Sequence, residues 1–153
     1  MRIKSEAEFK QLFQKNSASK PKQKKKRNQK ERKECIEFNK LLHQYRNAKK
    51  VNYDFFLWHH SPNGGARNAI EGKFFKLMGV KKGFWDYFFL YGNEGEGIYK
   101  ILFMEAKEGE KGELTKEQLE FQEILNKLGI PNYIFYTAND GINYLIDQKI
   151  IQP

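Results

Sequence analysis

Residues 84–107 read FWDYFFLYGNEGEGIYKILFMEAK, and the fold turns on how this stretch is interpreted. Two apolar runs flank Gly92-Asn93-Glu94-Gly95-Glu96-Gly97, a turn sequence that predicts an antiparallel hairpin. Each run is broken by charge where a strand should be most buried. Asp86 sits among Phe84, Trp85, Tyr87, Phe88 and Phe89, while Glu105 and Lys107 follow Ile101-Leu102-Phe103-Met104. A symmetric hairpin centred between Gly95 and Glu96 pairs Asp86 with Glu105, and a bulge would move this by one residue. Glu105 and Lys107 are two apart and share a face, with Ala106 pointing the other way. One polar cluster of Asp86, Glu105 and Lys107 is therefore expected on an apolar sheet.

Two carboxylates ~4 Å apart in an effective dielectric of about 20 repel by roughly 4 kcal/mol. A single lysine offsets part of that, and a divalent cation offsets more. Mg²⁺ is typically held by one or two carboxylates, with waters and substrate phosphate completing its shell. Such a metal acidifies bound water and stabilises charge on a phosphoryl oxygen. The competing reading is a surface ion pair between Glu105 and Lys107, with Asp86 facing solvent.

The rest of the chain bounds these readings. Its 153 residues suit one ordinary domain, and 39% hydrophobic content gives a modest core. No run approaches the ~18 apolar residues of a membrane span, and MRIKSEAEFKQLF lacks the apolar centre of a secretory signal. A single cysteine, Cys35, fits a reducing compartment, so a cytoplasmic location is expected. Charge is uneven: residues 1–50 hold 17 of the 28 Lys and Arg but 5 of the 19 acids. The boundary is accordingly drawn between a basic extension, 1–50, partly helical or disordered, and a body, 51–153. The lysine-rich segment, including Lys24, Lys25, Lys26 and Arg27, is either a footprint for nucleic-acid phosphate or a solvated tail.

Local patterns order the elements. Ser5 and Glu8 have capping-box spacing ahead of Phe9, Leu12 and Phe13, predicting a short helix over 1–14. Residues 15–33 read as a flexible arm, and a second helix is expected from about 28 to 50, with Cys35, Phe38, Leu41, Leu42 and Tyr45 on one face. YDFFLWHH reads as a strand. Residues 66–78 suggest a helix closed by Gly79. Thr115 and Gln118 open another, with an apolar stripe of Phe121, Ile124, Leu125 and Leu128 stopped by Gly129 and Pro131. Residues 133–136 form a strand, and Asn139-Asp140-Gly141 turns into a short terminal piece. His59 and His60 followed by asparagine invite an HNH nuclease, but no histidine follows His60. Gly97-Ile98-Tyr99 lacks the second half of a GIY-YIG motif, and Cys35, His43, His59 and His60 lack zinc-ligand spacing.

Taken in order, these residues resemble the PD-(D/E)xK phosphodiesterase superfamily, and within it the virus-type replication-repair nuclease (VRR-NUC) family. The resemblance covers residues 58–146. It rests on Pro62-Asn63-Gly64-Gly65 with Arg67, Glu71, Leu77-Met78-Gly79-Val80, Gly83-Phe84-Trp85-Asp86, Glu105-Ala106-Lys107 and Leu114-Thr115-Lys116-Glu117-Gln118. It implies an α/β (α+β) restriction-endonuclease-like core, a mixed sheet flanked by helices behind a helical basic extension. It further implies DNA cleavage dependent on Mg²⁺ or Mn²⁺. Asp86, Glu105 and the Ala106 carbonyl become metal ligands, with Glu71 as the helix acid completing the site. Lys107 lies near the attacking water, and Gln118 points into the site, although a pure capping role competes for it. Asn63, Gly64, Gly65 and Arg67 would meet phosphate, with a plain tight turn as the alternative for the first three. The family usually has proline before the aspartate, where Trp85 stands here. Stand-alone members of the small, phage-like type are linked to branched DNA such as four-way junctions and act as homodimers. The expected function is thus a branched-DNA endonuclease. Its rivals are a non-catalytic DNA-binding or packaging protein and a small sequence-specific restriction-type nuclease.

Overall fold

The computed structural model describes residues 29–61, 74–97, 99–109 and 112–153. The chain divides into two units, one of Met1–Lys26 and Gly65–Lys81, the other of Arg27–Gly64 and Lys82–Pro153. The larger carries α1 (Gln29–Asn47), β1 (Phe55–His60), β2 (Tyr87–Gly92), β3 (Tyr99–Ala106), α2 (Lys116–Lys127), β4 (Asn132–Phe135) and α3 (Ala138–Asp147). Its four strands form one mixed sheet in the order β1-β2-β3-β4. The first three are antiparallel neighbours, and β4 runs parallel to β3. The α+β class and the mixed sheet flanked by helices agree with expectation.

The hairpin register is the one its turn sequence demands. Tyr87 faces Met104 and Gly92 faces Tyr99, so the centre falls between Gly95 and Glu96 with no bulge. Gly95 and Gly97 both have positive φ, 92° and 64°, which side chains with a Cβ adopt at a cost. Alternation along the strands then makes two cores. On one face Phe56, Tyr87, Phe89, Leu102, Met104 and Phe135 pack with α1 and α3. On the other, Trp85, Phe103 and Leu125 gather Phe84, Phe88, Phe121 and Ile134 beneath α2.

Helix α1 lies before residue 51, yet its Cys35, Phe38 and Leu42 are buried in the first of these cores. Phe38 meets the Tyr87 ring edge-on at 5.1 Å and the Phe135 ring at 4.7 Å. The arm expected over 15–33 therefore extends too far, because residues 29–33 are the first turns of α1. The expected helix over 1–14 lies outside the described residues. In the smaller unit the described part is residues 74–81, one helical turn at 74–77 followed by Gly79 at φ +89°. Gly79 N–H donates to the Lys76 carbonyl (3.2 Å) and Val80 N–H to that of Phe75 (2.9 Å), the paired bonds of a glycine helix stop.

Two expectations change. The α2 stripe is narrower than read: Leu125 is buried and Phe121 half-buried, but Ile124 and Leu128 are exposed. Positions 118, 121 and 125 face the sheet, and 124 and 128 fall on the flank of the helix. Residues 139–141 are also not a turn. Thr137 caps α3, its Oγ1 accepting from Asp140 N–H at 3.1 Å, and Glu34 of α1 accepts from Ala138 N–H at 2.8 Å. Packing requires a residue without a side chain at Gly141 inside this helix: a Cβ there would lie 2.8 Å from Phe38 Cε2 and 3.3 Å from Phe135 Cδ2. The turn-forming composition of Asn-Asp-Gly thus lost to a tertiary contact.

This contact sets a sign. Gly141→Ala gains about 1 kcal/mol of helix propensity but drives a methyl into two core rings, typically costing about 1–3 kcal/mol. We expect net destabilisation in urea titration. A more stable variant would mean that the rings yield freely.

Candidate functional site

The hairpin brings Asp86 and Glu105 together at the end of the sheet beside α2. Asp86 stands in a bend immediately before β2 rather than inside the strand, because its backbone groups bond elsewhere. Its N–H donates to Glu105 Oε2 at 2.9 Å, and its carbonyl accepts from Ser61 N–H at 2.7 Å. In return Asp86 Oδ2 accepts from Ala106 N–H at 3.3 Å. Each carboxylate therefore holds the backbone beside the other. Both are buried, Asp86 8% and Glu105 1% exposed.

Lys107 closes the site. Its Nζ is 2.9 Å from Glu105 Oε1 and donates to Gln118 Oε1 at 2.7 Å. The expected pairing of Glu105 with Lys107 on one face is found, but in a buried setting rather than as a surface ion pair. Gln118 Nε2 donates to Glu105 Oε1 in a short hydrogen bond. The same Gln118 Oε1 accepts from Thr115 N–H at 2.9 Å, while Thr115 Oγ1 accepts from Gln118 N–H at 3.3 Å. Capping and site roles for Gln118 do not compete, because an amide has two acceptor lone pairs and two donors. One lone pair completes the capping box, and the rest of the amide serves Lys107 and Glu105.

Trp85 locks α2 in place. Fully buried, it donates its indole N–H to the Gln118 carbonyl at 3.3 Å. Gly83, at φ +76°, passes so close to α2 that a Cβ would lie 2.4 Å from the Glu117 carbonyl. The residue before the aspartate thus anchors the helix that carries Gln118.

Sequence reasoning missed one acid. Glu31, half-buried in the first turn of α1, faces the same cluster. One turn on, the Cys35 carbonyl accepts from Tyr87 OH at 3.0 Å, which fixes this end of α1 beside Asp86. Only its inward direction was legible, since Glu31 continues the stripe of Cys35, Phe38 and Leu42 by one turn; its meeting with Asp86 was not. Burial, then Glu105 and Glu31, push the Asp86 carboxyl up to about 8, against the Ala106 N–H and Lys107. Burial also raises Glu105 despite Lys107, and raises Glu31. On the opposite face of the sheet end, the His60 ring packs tilted against Tyr87 at 4.7 Å, and burial lowers its pKa. His59 and His60 differ in exposure, as expected of neighbours on opposite faces of a strand.

Of the other expected site residues, Glu71, Asn63, Gly64, Gly65, Arg67, Lys24, Lys25, Lys26 and Arg27 lie outside the described residues. Ala106 is at the site through its backbone. The donor chemistry fits a hard divalent cation: two buried carboxyl groups with a third nearby carry more negative charge than Lys107 neutralises once Asp86 is ionised. Among the described residues, no three His, Cys, Asp or Glu side chains are already gathered as a metal-holding group. No helix among them is long and apolar enough to cross a membrane. Comparison with protein-family models, curated proteins and solved structures returned no match, so the chemistry is argued from geometry.

Two outcomes are expected. The folded state keeps the Asp86 proton up to about pH 8, whereas an unfolded aspartate releases it near pH ~4. Without metal, stability should therefore fall as pH rises between these values. Asp86→Asn keeps an acceptor for Ala106 N–H and should flatten that fall, with a higher Tm than wild type at pH 8.5. Parallel melting curves for the two proteins would remove Asp86 as the cause. Second, Thr115→Val should cost about 1 kcal/mol and Gln118→Ala more, because it also strips Glu105 of a donor. The double variant should lose less than their sum, since both break one capping box. Strict additivity in denaturant titration would separate cap from site.

Proposed function

We propose that the chain is a metal-dependent endonuclease that hydrolyses DNA phosphodiesters, acting on branched DNA such as four-way junctions. The carrying observation is the convergence of Asp86, Glu105 and Lys107 at one end of the sheet, with Lys107 Nζ 2.9 Å from Glu105. The mixed sheet flanked by helices is compatible with a restriction-endonuclease-like core, and the ordered motifs resemble the VRR-NUC family.

In this reading Asp86, Glu105 and the Ala106 carbonyl hold Mg²⁺ or Mn²⁺, with Glu31 as the nearby helix acid. The metal supplies Lewis-acid charge for the phosphoryl oxygen and a more acidic bound water. The protein's own groups do the positioning. A cation held here would favour the ionised form of Asp86, whose pKa is raised by burial and then by Glu105 and Glu31. Two of the Lys107 N–H groups are directed at Glu105 and Gln118. Its third, without a partner among the described residues, would orient the attacking water or meet the developing charge. Gln118 keeps the ammonium from swinging away, because its own amide is pinned by the cap. Two copies would serve a two-fold junction, each cutting one of the symmetric strands.

A second reading, DNA binding without cleavage, is favoured by the concentration of 17 of the 28 Lys and Arg in residues 1–50. Cleavage of a four-way junction and a matched duplex separates the two. Mg²⁺ or Mn²⁺ should support cutting and EDTA should stop it. Glu105→Gln, which preserves size, should reduce the rate at least ~100-fold. Tight binding with no cutting under any metal moves the second reading ahead.

A further inference from the structure

Helix α1 sorts its charges by face. Of its three acids, Glu31 turns to the site, Glu34 accepts from Ala138 N–H, and Glu37 pairs with Lys40 at 3.3 Å. Its bases Lys30, Arg32, Lys33, Lys40 and Arg46 are all exposed. A soluble helix commonly intersperses both signs on its outer face. Here the acids are turned inward or matched, and the bases are left outside. The contrast with the body that follows is large. Residues 51–153 hold 11 Lys and Arg against 14 acids, so positive potential on the described surface concentrates at α1.

The stripe also begins at the candidate site. Lys30 Nζ lies 3.9 Å from where a Cβ on Gly109 would stand, two residues beyond Lys107. Lys30 and Glu31 are adjacent, so one end of the basic face and one acid of the site share a helical turn. From Lys30 to Lys40 the helix rises about 15 Å at ~1.5 Å per residue. At ~3.4 Å per phosphate along one strand, that length spans about four phosphates.

We infer that the outer face of α1, through Lys30, Arg32, Lys33 and Lys40, is the track along which a nucleic-acid phosphodiester backbone enters the site. This rests on the nuclease reading for what happens at the end of the track. The track itself is read from charge placement. It assigns the polyanion contact to a helix built into the core, in addition to any contribution from the lysine-rich segment before it.

The test uses the full chain in EDTA with a fluorescein-labelled duplex, so binding is read without cutting. One variant carries Arg32→Gln, Lys33→Gln and Lys40→Gln. A charge-matched control carries Lys100→Gln, Lys127→Gln and Lys149→Gln, which lie off α1. Circular dichroism melts check that both fold. The α1 variant should bind ~10-fold or more weakly at 0.1 M salt, with the slope of log K against log salt lowered by about 2–3. The control should stay within ~2-fold of wild type with its slope unchanged. Equal losses in both variants, or no binding by wild type, overturn the track. Binding that depends on α1 with no cleavage under any metal keeps the track and removes the nuclease reading. Cleavage with an α1 variant indistinguishable from control does the reverse.

Discussion

Burying the Glu105 carboxyl group to 1% exposure is the constraint around which the site is built. A buried charge costs several kcal/mol unless it is paired and hydrogen-bonded. Lys107 and Gln118 serve one oxygen and the Asp86 N–H serves the other. Each donor constrains a different element: Lys107 the chain leaving β3, Gln118 the start of α2, Asp86 the entry to β2. The same three bonds that satisfy the carboxylate therefore hold the sheet end and the helix in register.

That arrangement leaves negative charge in excess once Asp86 ionises. Among the described residues Asp86 has no cation beyond Lys107, and Glu31 adds to the repulsion. An excess of this kind destabilises the bare fold in favour of whatever cation or proton can relieve it. Stability given up at a functional site is compensated by packing elsewhere, here by two aromatic-rich cores on opposite faces of one thin sheet. Helix α1 links the two demands. Its inward face supplies Cys35, Phe38 and Leu42 to the core and Glu31 to the site, and its outward face carries the bases.

Much of this was legible before any coordinates. The hairpin register followed from the glycine-rich turn, and with it the pairing of Asp86 with Glu105. The Thr115–Gln118 capping box and the glycine stop at Gly79 were local signals with local causes. The helical nature of residues 139–141 was not legible, because Asn-Asp-Gly favours a turn until Phe38 and Thr137 are placed against it. Nor was the exposure of Ile124 and Leu128, since an apolar stripe does not say how wide a face its neighbour covers.

The sequence by itself determined which residues share a strand face, where the helix after Thr115 begins and ends, and that acids interrupt an apolar hairpin. These depend on periods of two and 3.6 residues and on turn chemistry, all of which act over a few positions. Tertiary structure alone decided that Glu31 joins the acids, that Trp85 pins Gln118, and that one glutamine both caps a helix and holds a lysine. Glu31 lies 55 residues before Asp86 and 74 before Glu105. Their repulsion exists only because α1 packs across the sheet, and no local pattern in the chain carries that distance.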